Sequence, residues 1–127
     1  MSVGQNSGFK GLIAWPRAME LACETYKLTA AFPSAERFGL TAQVRRAAVS
    51  VPSNIAEGHG RRSKHDYVRF LDIARASASE VETQIILAQQ LGFASADKTA
   101  KLITIADEVQ RIVKGLIMKL EGKTPPR

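Results

Sequence analysis

From Ser95 to Leu120 the chain keeps one pattern: Leu102, Ile105, Ala106, Val109, Ile112, Val113, Leu116, Ile117 and Leu120 recur at helical spacing, while Asp107, Glu108, Arg111 and Lys114 take the opposite side. An apolar stripe this long on an otherwise polar helix has to be covered by other helices. Three more helix-period segments precede it, set apart by short breaks at Pro33, at Gly58-His59-Gly60 and after Gly92. The chain is therefore expected to be all-α, an up-down-up-down antiparallel four-helix bundle. Its 127 residues fit one domain. Residues 11–121 are assigned to the bundle, 1–10 to a flexible N-terminal segment and 122–127 to a flexible tail.

The first helix is predicted from about Trp15 to Phe32, with Pro16 tolerated in its first turn and Pro33 closing it. Trp15, Met19, Ala22 and Tyr26 make one apolar stripe, and Leu21, Leu28 and Phe32 fall on a different side. The second helix covers at least Thr41 to Gly58, with a turn at Ser34 to Phe38 ahead of it. Its stripe Val44, Ala48, Val51 and Ile55 keeps phase across Pro52, which favours one kinked helix over two short ones. Ala42, Val49, Pro52 and Ala56 make a second face of small or apolar residues. Ser63 with Asp66 reads as a capping box for the third helix, whose stripe is Tyr67, Phe70, Leu71, Ala74, Ala78, Val81, Ile85 and Ala88. Ser95 caps the fourth.

Eighteen Lys and Arg against twelve Asp and Glu give a formal charge of +6, which favours a polyanionic partner. The excess lies mid-chain, so Arg45, Arg61, Arg62, Lys64, Arg69 and Arg75 are the candidate phosphate contacts. Few aromatics remain for base stacking, so such binding should be sequence-tolerant and salt-sensitive. At Gly60-Arg61-Arg62-Ser63-Lys64, cations gather where a helix N-terminus disfavours positive charge. A bound phosphate would relieve that conflict, and side chains extended into water are the alternative.

Other chemistries find little footing. The single Cys23 allows no internal disulfide, fits a reducing cytoplasm and is expected as a small core residue. No segment reads as a membrane span or signal peptide, so a cytoplasmic location is expected. His59, His65 and Cys23 lack metal-ligand spacing, and neither metal nor cofactor is expected. Glu57 and Glu80 could be paired as acid and base. Together with Arg46, Asn54 and Ser77 they fit better as a polar network between helices, so no catalytic residue is assigned. Two apolar faces on each of the first two helices exceed what one bundle consumes. Leu21, Leu28, Phe32, Ala42, Val49, Pro52 and Ala56 are therefore assigned to an oligomer interface, with closure of the bundle edge by the first three as the alternative.

The run Gln43 to Gly58, Gln-Val-Arg-Arg-Ala-Ala-Val-Ser-Val-Pro-Ser-Asn-Ile-Ala-Glu-Gly, closely resembles the signature of the four-helix bundle proteins named after 23S ribosomal RNA intervening sequences. Phe70 through Ser77, followed by Glu80-Val81-Glu82-Thr83-Gln84, resembles that family's second motif, and Phe32-Pro33 with Glu36 its first interhelical turn. Arg75-Ala76-Ser77 departs from the Gly-Ser often found there. The resemblance implies a ring-shaped homopentamer without catalytic activity. Some members are encoded inside rRNA insertions, and a related branch serves diversity-generating retroelements, binding nucleic acid and a reverse transcriptase. The expected function is thus non-enzymatic nucleic-acid binding by an oligomer, RNA ahead of DNA. A scaffold or accessory factor for a protein such as a reverse transcriptase is the alternative.

Overall fold

The computed structural model describes residues 8–123. A 3-10 turn at Gly8–Gly11 leads into α1 (Ala14–Thr29), and a second at Ser34–Glu36 precedes α2 (Leu40–His59), α3 (Lys64–Gln90) and α4 (Ala96–Leu120). No strand occurs among the described residues. Each helix packs on two neighbours, α1 and α3 both lying against α2 and α4, while the diagonal pairs make no close backbone approach. Short connections between such neighbours give the antiparallel bundle expected from the four stripes.

Local chemistry sets the boundaries. Ser63 Oγ accepts the Asp66 amide at 3.0 Å and Ser95 Oγ accepts that of Lys98 at 3.4 Å, closing the N-termini of α3 and α4. Gly92 at φ +81° ends α3, and the next amide, of Phe93, returns to the Ala88 carbonyl at 2.9 Å. α1 stops at Thr29, short of the expected Phe32, where the amides of Ala31 and Phe32 turn to the carbonyls three residues back, of Leu28 at 3.3 Å and Thr29 at 3.0 Å. α2 runs uninterrupted through Pro52, which excludes two separate helices. Residues 1–7 and 124–127 of the segments assigned as flexible lie outside the described residues. The inner part of each is held: Phe9 stacks edge-on against Trp15 at 5.2 Å, and the Lys123 amide bonds the Met118 carbonyl at 2.8 Å.

The core stripes of α2 and α4 fall where the periodicity puts them, with Val44, Ala48, Val51, Ile55, Leu102, Ala106, Val109 and Val113 buried. α1 departs from its reading. Its buried face is Ala14, Ala18, Leu21, Ala22, Thr25 and Thr29, between the two apolar stripes counted in the sequence. Thr25 and Thr29 can lie inside because their hydroxyls donate to the Leu21 and Thr25 carbonyls at 2.7 and 2.8 Å.

This corrects much of the assigned oligomer interface. Leu21 is wholly buried, Phe32 is buried against Phe93 at 5.7 Å between ring centroids, and Leu28 packs half-buried on the core. Pro52 is buried as well. These four serve the single subunit, leaving Ala42 and Ala56 half-exposed and Val49 exposed on the outside of α2. Cys23 is not a core residue but lies exposed on α1.

Candidate nucleic-acid interface

The α2–α3 turn is built around Gly58. A Cβ there would lie 2.8 Å from the Phe70 Cβ and 3.2 Å from the Tyr67 carbonyl oxygen, so only a missing side chain lets the two helices approach this closely. Arg61, just beyond α2, consequently reaches α3, its guanidinium carbon 4.7 Å from the Phe70 ring centroid. Arg69 lies over the same ring at 4.6 Å. Each guanidinium is drawn to the ring's electron-rich face and also meets an acid: Arg61 bonds Glu57 at 2.6 Å, and Arg69 faces Asp66 at 3.7 Å. Arg62 and Lys64 are exposed and have no ion-pair partner among the described residues. In the same turn region His59 packs edge-on against Tyr67 at 5.7 Å, and burial pushes the Tyr67 phenol above its ordinary pKa.

Four of the six sequence-predicted phosphate contacts, Arg61, Arg62, Lys64 and Arg69, are thus brought to one end of the bundle. The other two are elsewhere. Arg45 donates from Nε to Thr29 Oγ1 at 2.8 Å and from Nη2 to the Tyr26 carbonyl at 3.3 Å, with its guanidinium 4.5 Å from the Tyr26 ring centroid. Half-buried, it clasps the end of α1 to α2. Arg75 pairs with Asp72 at 3.3 Å beside a hollow that also takes in Gln110 of α4.

The assigned polar network divides. Ser50 and Ser77 hydroxyls meet at 2.9 Å between α2 and α3, and Asn54 donates to the Ser50 carbonyl at 2.8 Å and hydroxyl at 2.9 Å. Further along, Gln84 donates to Gln43 at 3.4 Å and to Glu80 at 3.2 Å. Glu57 belongs instead to Arg61, and Arg46 is exposed with no ion pair among the described residues. Ser50 opposite Ser77 and Gly58 opposite Phe70 fix an antiparallel register. Along it, Glu57 and Glu80 stand roughly 15 Å apart at 1.5 Å per residue. They do not form a close carboxylate pair.

One ion-pair system had no signal at short sequence spacing. Arg17 of α1 grips Glu108 of α4 through two parallel hydrogen bonds, 2.8 Å from Nε and 2.6 Å from Nη2, and also bonds Glu20. Glu108, read as solvated, is half-buried. The Arg17 hydrogen bond holds its carboxyl below the ordinary 4.5, and Lys101, followed by Lys27, does the same for Glu24. A carboxylate depressed in the folded state stabilises fully above its unfolded pKa and ceases to do so as pH falls through the folded value. The urea midpoint is therefore expected to hold steady from pH 7 to about 5.5 and to fall below about pH 4. An unchanged midpoint at pH 3 would count against these pairs.

Among the described residues no helix is long and apolar enough to cross a membrane, and no group of three His, Cys, Asp or Glu side chains is placed to hold a metal ion. Comparison with solved structures finds this architecture in a crystal structure, at 1.70 Å, of a protein of unknown function from the S23 ribosomal protein family of Bacteroides thetaiotaomicron. The two share 20% identity at a TM-score of 0.75, with 83% of this chain and 98% of the other covered. No functionally curated protein matches the sequence significantly. The model of the 23S rRNA-intervening sequence proteins matches residues 10–115, across all four helices and the α2–α3 turn, and the chain belongs to that family.

Proposed function

We propose that this chain is a non-enzymatic nucleic-acid-binding protein that assembles as a homopentameric ring in the cytoplasm, with RNA preferred over DNA. The observation that carries the binding half is the clustering of Arg61, Arg62, Lys64 and Arg69 at the α2–α3 end, two of them with no ion-pair partner among the described residues. RNA ranks first because the family is described by an rRNA insertion. The ring half is supported by apolar side chains that the single subunit leaves exposed on three helices: Met19 and Tyr26 on α1, Val49 on α2, and Ile73, Leu87 and Leu91 on α3. Unlike surfaces join head to tail, a geometry that closes into rings. A ring multiplies one subunit's weak contact by avidity.

Light scattering is expected to give a mass about five times the 13.8 kDa of one chain, and Val49→Glu to lower it by placing a charge on that surface. If four phosphates are neutralised per subunit, affinity for a single RNA strand should drop roughly fiftyfold between 50 and 200 mM salt. A monomer whose RNA binding ignores salt overturns the proposal.

A second reading, a scaffold or accessory factor for a protein such as a reverse transcriptase, is favoured by Phe38. This side chain is 86% exposed at the opposite end of the bundle, with Arg37 over its ring at 5.0 Å. A partner retained after nuclease treatment and lost in Phe38→Ser would support it.

A further inference from the structure

We infer that Phe70 is the positioning residue of the interface and that its ligand is a single RNA strand, held by the two guanidiniums that share its ring. The inference rests on the nucleic-acid reading proposed above. A surface arginine ordinarily loses rotamer freedom when it grips a phosphate. Here that loss is largely incurred before the ligand arrives, because Arg61 from the α2–α3 turn and Arg69 from α3 come to the same aromatic ring, at 4.7 and 4.6 Å.

That common anchor keeps the two cations close together, as neighbouring phosphates along one strand require. Guanidiniums resting on a ring also keep an outward face, on which an unpaired base can stack. The deep, narrow major groove of an RNA duplex gives such side chains no entry, and a duplex keeps its bases stacked on one another. Glu57 and Asp66 act as placeholders: they neutralise Arg61 and Arg69 in the free protein and must yield to phosphate on binding. The exposed Arg62 and Lys64 between them supply charge that no ion pair offsets among the described residues.

Fluorescence anisotropy with the full chain tests this, using a labelled oligouridylate and an RNA duplex of equal length at 50 to 200 mM KCl. Phe70→Leu retains the Cβ against Gly58 and every charge. It is expected to weaken strand binding about threefold to fivefold with the salt slope unchanged, and Phe70→Tyr, which restores a ring face, to recover it. Arg61→Gln and Arg69→Gln should each lower the slope by about 0.7, the value for one phosphate on a single strand. Glu57→Gln should tighten binding about twofold by releasing Arg61. The duplex should bind more weakly than the strand.

Wild-type affinity in a folded Phe70→Leu, or a preference for the duplex, overturns the inference while leaving nucleic-acid binding in place. If Phe70→Leu fails to fold, the two exposed arginines decide, and unchanged slopes in both overturn it. Absence of wild-type binding to either probe at 50 mM overturns the nucleic-acid reading itself.

Discussion

Replacing Gly58 with alanine is expected to destabilise the bundle by about 2 kcal/mol, although alanine in a helix ordinarily gains up to ~1 kcal/mol over glycine. The sign is decided by what the new methyl meets: the Phe70 Cβ at 2.8 Å, Tyr67 Cδ1 at 3.1 Å and the Tyr67 carbonyl oxygen at 3.2 Å. A Cβ and a backbone oxygen cannot rotate out of the way, so α2 and α3 must separate along a seam packed by side chains on either side. Overpacking of this kind costs roughly 1–3 kcal/mol or more and outweighs the propensity gain. In a thermal melt the loss should be about 8 °C for a domain of this size. A variant melting at or above wild type would mean that the helices are free to move apart here.

Leu21→Ala should cost about 3 kcal/mol of stability, within the range for a buried leucine, because the hole left behind cannot collapse fully. Leu21 is 0% exposed, and the other buried positions of α1 are alanine and threonine, too short to fill the space. The loss should appear as a lower urea midpoint at fixed protein concentration with the assembled mass unchanged. Val49→Glu should instead lower the assembled mass, since its side chain is 44% exposed in the single subunit. A Leu21→Ala protein of normal stability that falls apart into subunits would return Leu21 to the contact between copies.

The residues that were legible in advance share a property: their environment is set by neighbours within a few positions. Val44, Ala48, Val51 and Ile55 are all fully buried because a stripe at 3.6-residue spacing can face only one way. Ser63 and Ser95 cap the helices that follow because the cap depends on local backbone geometry. α1 was harder to read, since counting large apolar side chains overlooks a threonine that satisfies its own hydroxyl. The split of the basic residues was illegible for another reason. Arg45 and Arg61 look alike in sequence, and only the packing of α1 on α2 gives one of them Thr29 and Tyr26 to hold, while the turn after Gly58 gives the other Phe70. Arg17 and Glu108 stand 91 positions apart, beyond any spacing rule.

The buried face of α1 has a further consequence. With Leu21 its only fully buried large aliphatic side chain, and Trp15 and Leu28 only partly buried against the core, this helix shields less hydrocarbon than α3, which buries Leu71, Val81 and Ile85, or α4, which buries Leu102, Ile105, Val109 and Val113. Among the four helices, α1 is therefore expected to be the cheapest to detach. Its polar tethers include Arg17 and Glu24 to α4 and Arg45 from α2. The fold is asymmetric in cohesion: α1 is fastened with less hydrocarbon than α3 or α4 and partly by ion pairs, so salt and acid would both promote its release.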